Sequence, residues 1–144
     1  MRHKGFTMIE LMTVMVIISL LAALAIPSYN RFTIRAKETR VRANCHTVQL
    51  AAEDFAIQND GNYAADTDTD LTLANQTIRD LLPQGAPLEN PFTKVATEPR
   101  SSGAAVSPGE TGYVVLVGPV GTNDGYTITG FGATRVILTV ANGQ

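Results

Sequence analysis

Residues 1–27 read MRHKGFTMIELMTVMVIISLLAALAIP, and this stretch decides what the chain can fold into. A basic leader with Arg2, His3 and Lys4 ends at Gly5. An apolar run of 21 residues follows from Phe6 to Ile26, carries one charge, Glu10, and is closed by Pro27. As a helix that run is roughly 32 Å long at ~1.5 Å per residue, close to the thickness of bilayer hydrocarbon. Eleven of its residues are Leu, Ile, Val or Phe. At ~0.3–0.6 kcal/mol each they favour insertion by roughly 3–7 kcal/mol, against about 3 kcal/mol for an acidic residue at a helix centre. Glu10 lies near the end, where the cost is smaller, so the segment inserts in spite of it. A carboxylate in lipid still calls for a partner.

Three readings compete for this segment. A secretory signal peptide accounts for the basic start, the apolar run and the A-x-A site Ala23-Leu24-Ala25. It does not account for Glu10 or for an apolar run from Leu11 to Ile26 that exceeds a usual h-region. A plain one-helix anchor explains the length but not Glu10. The third reading starts from Lys4-Gly5-Phe6-Thr7-Met8-Ile9-Glu10-Leu11. This run resembles the processing motif of type IV prepilins and the related pseudopilins of type II secretion.

The resemblance covers about the first fifty residues and has definite implications. A prepilin peptidase would cut between Gly5 and Phe6, and Phe6 would become an N-methylated amino terminus. Glu10 would pair with the N-terminal amine of a neighbouring subunit during assembly. The chain would be a major pilin that polymerises with itself into a helical filament. Its partners would be the peptidase, the inner-membrane assembly machinery and, before assembly, the membrane. It would reside in the inner membrane as precursor and then in an extracellular pilus serving adhesion or motility. The alternatives are a pseudopilin, a minor pilin and, from a different class, a secreted or membrane-anchored binding module. On this view residues 1–5 are leader, 6–27 the transmembrane and filament-core half of a helix, and 28–144 the head with the helix's second half.

Orientation divides the simple rules. Arg31, Arg35, Lys37, Arg40 and Arg42 outnumber the leader's cations, so a positive-inside count puts them in the cytoplasm. The prepilin motif puts the leader there instead, and Glu38 and helical spacing spread the second cluster. That cluster would meet DNA phosphates only if exposed on a filament, and it is expected to be mostly interior.

Composition bounds the rest. The chain has 144 residues, one domain's worth, and a formal charge of −2, which points to no nucleic-acid partner. A single cysteine, Cys45, permits no intrachain disulfide, and its place on an apolar stripe marks it as a core residue. His3 and His46 are too few for a His-rich metal site. No nucleophile–base pair, metal-ligand cluster or phosphate loop is present, so the sequence names no catalytic residue and no cofactor. The 6% of Phe and Tyr give no aromatic track for electron transfer.

Beyond Pro27 the helical pattern resumes. Ile34, Val41, Cys45, Val48, Ala52 and Phe55 form a one-sided stripe ending near Asn59-Asp60-Gly61, with Gly61 as the stop. Pro27 removes a backbone donor, so a break or local melting is expected on its N-terminal side, from Ser19 to Ile26. The prepilin family commonly carries glycine where this chain has Ser19. Asp66, Asp68 and Asp70 alternate like the start of a calcium loop, but Leu71 and Thr77 occupy the positions that need Gly and Glu. Asp70 or Thr72 is instead expected to cap a short helix through Leu82, with Ala74, Ile78, Leu81 and Leu82 on one face. Residues 83–111 read as a long exposed excursion pinned by Phe92, and Asn75-Gln76-Thr77 fits a glycosylation sequon. Tyr113–Val117, Tyr126–Thr129 and Arg135–Val140 read as antiparallel strands. The expected class is α+β: a long N-terminal helix whose amphipathic half packs on a small antiparallel sheet.

Overall fold

In the computed structural model the described residues are 5–119 and 121–142, and the leader residues Arg2, His3 and Lys4 lie outside them. One helix, α1, runs from Met8 to Gln58. Two strands, β1 (Leu88–Glu89) and β2 (Ala96–Glu98), make a small hairpin. Strands β3 (Thr111–Val117), β4 (Asn123–Phe131) and β5 (Val136–Ala141) form an antiparallel sheet in that order. The α+β class and the three-stranded sheet agree with the sequence reading, with strand ends moved by a few residues. The chain divides into two units between Arg35 and Ala36.

The first unit is helix from Met8 onward, and among its described residues the large apolar side chains are exposed. The helix is uninterrupted through Ser19 and Pro27, so the expected break is not present in the single chain. Proline removes one bond, the one its own N–H would have made to the Ala23 carbonyl, and the bonds on either side persist. Ser19 Oγ donates to the Met15 carbonyl at 2.7 Å, which keeps this hydroxyl satisfied inside the helix.

The second unit is built on the expected stripe. Val41, Cys45, Val48, Ala52 and Phe55 are fully buried and join Ile78, Tyr113, Tyr126 and Ile128 in one core. Ile34, the first residue expected on the stripe, is exposed, so burial begins at Val41. The helix ends in a Schellman turn. Asp60 takes the left-handed conformation (φ 53°), Gly61 follows it (φ 87°), and Gly61 N donates to the Ala56 carbonyl at 2.8 Å. The left-handed turn thus begins one residue before the expected stop.

Three tyrosines tie helix, loop and sheet together. The Tyr126 ring lies edge-on to Tyr63 at 5.0 Å and stacked on Tyr113 at 5.9 Å. Glu53 of α1 accepts from Tyr126 OH at 2.7 Å and from Tyr63 OH at 3.1 Å. Tyr113 OH donates to the Ala64 carbonyl at 2.9 Å.

One expectation fails here and another is extended. Residues 72–82 form turns rather than a helix. Asn75 is left-handed (φ 61°), Thr72 N pairs with the Gln76 carbonyl, and the helical turn opened by Thr77 and Asp80 is stopped by Pro83. Ile78 and Leu82 are nevertheless buried, as their spacing suggested. The 83–111 excursion is exposed over much of its length and pinned at Phe92, as expected, but it is also pinned elsewhere and carries β1 and β2. Asn90, Pro91, Glu98, Pro99 and Ala105 are buried, and Phe92 packs partly against the core. Asn90 Oδ1 accepts from Phe92 N and Thr93 N, while its Nδ2 donates to Glu98 Oε1 at 3.1 Å and to the Pro108 carbonyl. Glu98 Oε2 accepts from Thr111 N at 2.7 Å, so a buried carboxylate fastens the hairpin to the head of β3.

Candidate assembly site

Gly5, Phe6 and Thr7 precede the helix and have no regular structure, and Phe6 is 77% exposed. The Gly5–Phe6 junction is therefore an open stretch of chain directly in front of a helix start. Nothing surrounds Gly5 closely. What fixes the helix start is a capping box, in which an N-cap hydroxyl and a carboxylate three residues on satisfy each other's backbone donors. Thr7 N donates to Glu10 Oε2 at 2.8 Å, Thr7 Oγ1 donates to the same oxygen at 2.7 Å, and Glu10 N donates to Thr7 Oγ1 at 3.3 Å.

Glu10 is thus already engaged in the single chain, by Thr7. The T-x-x-E spacing of residues 7–10 carries this box, while the cost of a charge in lipid points to a neighbour's amine. A capping side chain is worth about 1 kcal/mol. Both roles fit one carboxylate, because Oε1 makes none of the three capping bonds.

Downstream of the box, the helix presents apolar side chains all round. An 18-residue window has mean hydropathy 2.5 and none of it is buried. Among the described residues this is the one helix long and apolar enough to cross a membrane, by length and composition. The basic cluster that follows is exposed at Arg31, Arg40 and Arg42. Arg40 stands 3.6 Å from Glu89, and Lys37 Nζ lies 5.1 Å from the centre of the Phe92 ring.

The acidic run is used to shape its loop. Asp66 accepts from Asp68 N, Thr69 N and the Thr69 hydroxyl, Asp68 pairs with Arg79 at 2.5 Å, and Asp70 accepts from Ala65 N at 2.6 Å. Burial pushes the Asp66 carboxyl up, and its hydrogen bonds outweigh that and hold it below its ordinary range. No group of three or more His, Cys, Asp or Glu is placed to hold a metal among the described residues. Cys45 is a buried free thiol that burial pushes up to about 11.

Comparison with known proteins finds a match on this segment and relatives that extend beyond it. Residues 1–26 match the family model described as the prokaryotic N-terminal methylation motif. The chain is 32% identical over 123 residues to the type IV major fimbrial protein FimA of Dichelobacter nodosus, covering 74% of this chain and 78% of that one. It is 41% identical over 59 residues to the type IV major pilin protein PilA of Myxococcus xanthus, covering 41% of this chain and 27% of that one. It is 37% identical over 82 residues to a fimbrial protein of Pseudomonas aeruginosa, covering 54% and 53%. The matched region therefore spans about a quarter of the Myxococcus protein and about half of the Pseudomonas one. No solved structure matches the chain.

Proposed function

This chain belongs to the type IV pilin family, and from that premise we propose that it is the major subunit of a pilus, polymerising through its N-terminal helix. It is a structural protein, not an enzyme. The observation that carries the proposal is the conjunction of an open Gly5–Phe6 junction with a carboxylate, Glu10, one helical turn beyond it.

The mechanism follows from the cost of charge in lipid. A prepilin peptidase cuts after Gly5 on the cytoplasmic side, which frees the Phe6 amine for methylation. An ammonium and a carboxylate are each costly alone in an apolar surrounding, and they offset one another once paired. The amine of one copy pairs with Glu10 of the next, and residues 6–27 pass from membrane anchor to filament core. Residues 28–144 form the head. A contact of this head-to-tail kind, repeated without closing, gives an open helical polymer. The melting expected from Ser19 to Ile26 is assigned in this proposal to the assembled state, since the single chain is helical there. The precursor lies in the cytoplasmic membrane and the product outside the cell.

Mass spectrometry of the mature protein tests the processing step. The expected terminus is N-methyl-Phe6, whereas Ile26 at the terminus marks cleavage by signal peptidase and ends the filament reading. For the assembly step, Glu10→Ala is expected to insert and be processed but to give few filaments. A normal filament yield from Glu10→Ala would sink the pairing.

A further inference from the structure

Arg31, Arg35, Lys37, Arg40 and Arg42 follow the apolar run on the side that the prepilin topology sends across the membrane. A positive-inside count opposes that placement, so cations there call for something to offset them. In the second unit much of the offset is internal. Arg40 and Lys94 stand 3.6 and 3.2 Å from the two oxygens of one carboxylate, Glu89, and Lys37 lies over the Phe92 ring. The first unit is different. Residues 28–35 read SYNRFTIR, with two arginines and no acid. Arg31 is exposed and has no ion-pair partner among the described residues. Tyr29 and Phe32, on either side of it in the chain, are 68% and 65% exposed.

We propose that residues 29–35 form a collar that binds the phosphates of anionic phospholipids in the outer leaflet of the cytoplasmic membrane, and so holds the helix at one depth before assembly. The proposal deepens the membrane step of the proposed function and rests on it. Position selects the occupant. With Phe6–Ile26 filling the hydrocarbon, the backbone of Tyr29 stands about 4.5 Å beyond it, that of Arg31 about 7.5 Å and that of Arg35 about 13.5 Å. The headgroup layer is roughly 5–7 Å deep. Side chains on a helix tilt toward its N-terminus, which here is toward the bilayer, so both long guanidinium arms reach back into that layer. Side-chain chemistry selects the same occupant. Guanidinium forks match phosphate oxygens with paired N–H donors. Aromatic side chains such as Tyr29 settle at headgroup level, with an apolar body toward the chains and a polar tip toward water. A nucleic-acid backbone would satisfy the arginines but leave Tyr29, Phe32 and the exposed Ile34 without an apolar neighbour. Zwitterionic lipids bring their own ammonium, which competes with the arginines, so the collar favours headgroups of net negative charge.

The full chain in phosphatidylcholine vesicles, with a trace of spin-labelled phosphatidylglycerol or spin-labelled phosphatidylcholine, tests the proposal. The readout is the fraction of each label that the protein immobilises. Phosphatidylglycerol is expected to be enriched about fivefold over phosphatidylcholine at the protein surface, and the enrichment to shrink as salt is raised. Arg31→Gln with Arg35→Gln is expected to bring the ratio close to one, while Arg31→Lys with Arg35→Lys keeps most of it. No enrichment from the inserted wild type, as when the arginines engage an acidic face of a second copy instead, overturns the proposal. So does an enrichment that survives the double glutamine variant, or one that is lost in Arg42→Gln alone. Removal of the enrichment by a DNA duplex added outside the vesicles overturns it in favour of a nucleic-acid surface. Each of these outcomes leaves the membrane reading standing. A chain that inserts into neither vesicle defeats that reading itself, and the collar falls with it.

Discussion

The backbone of Gly130 in β4 presses on the side chain of Cys45 in α1. A Cβ added at Gly130 would stand 2.7 Å from Cys45 Sγ and 3.0 Å from Val41 Cγ1. This close approach sets the distance between helix and sheet, and the sulfur fills the space that a side chain on β4 would otherwise take. Gly130→Ala is therefore expected to destabilise the head by about 1–3 kcal/mol. Combining it with Cys45→Ala, which removes the sulfur, should cost clearly less than the two losses added together. Urea unfolding of the full chain in detergent measures both, and strict additivity would show that the contact does not couple the two sites.

Glu53 is the shared acceptor for Tyr126 and Tyr63, so the two hydroxyls are not equivalent losses. Tyr126→Phe removes the shorter bond and leaves the carboxylate one donor, at an expected cost of about 1.5–3 kcal/mol for a hydrogen bond to a charged group. Tyr63→Phe removes the longer bond and is expected to cost less. A larger loss from Tyr63→Phe in thermal unfolding would contradict the ranking.

Glu98 gives the head a pH dependence of definite sign. Burial pushes its carboxyl above the ordinary range, against the hydrogen bonds from Thr111 N and Asn90. A raised folded-state value means that Glu98's contribution is fully present below the unfolded pKa and is lost as pH rises through the folded one. Asp66, Asp80 and Glu110 are shifted the other way and oppose it. The comparison that isolates Glu98 is wild type against Glu98→Gln. The stability of wild type relative to that variant is expected to fall as pH rises from about 3 to 7. A relative stability that climbs over this range would reverse the assignment.

Glu10→Gln separates the two roles of Glu10. Glutamine still accepts the Thr7 bonds, so the helix start should survive, while the charge that pairs with an amine is gone. The expected outcome is normal amide protection in the first turn by hydrogen exchange, together with few filaments by electron microscopy. Thr7→Val does the converse: it removes the hydroxyl and should fray the first turn by about 1 kcal/mol. If Glu10→Gln assembles normally, the charge is not what assembly uses.

The parts of this fold governed by local periodicity were readable from the residues. The stripe from Val41 to Phe55 needs only the helical repeat, and Tyr113, Tyr126 and Ile128 declare their strands by β-branched and aromatic neighbours. What escaped depended on pairs distant in sequence. Nothing near Glu98 says that Thr111 N and Asn90 will reach it, so of the anchors within residues 83–111 only Phe92 is legible. The 72–82 segment has the apolar spacing of a helix, and that pattern outweighed its turn chemistry at Asn75. At the N-terminus, Gly5, Phe6 and Glu10 stood out by cost and by motif. Thr7, the N-cap that holds Glu10, lies in the same motif but carries no such cost to mark it.

The burial of Cys45 has a practical consequence for anyone who handles this protein. It is the chain's sole cysteine, it has no exposed surface, and its thiol is held up to about 11. Thiolate is the reactive form, so at neutral pH the native sulfur is nearly silent toward maleimides and mild oxidants. A cysteine introduced on the surface becomes a unique chemical handle without altering the native core. Dyes, spin labels or gold can then be placed at single chosen positions on the intact protein.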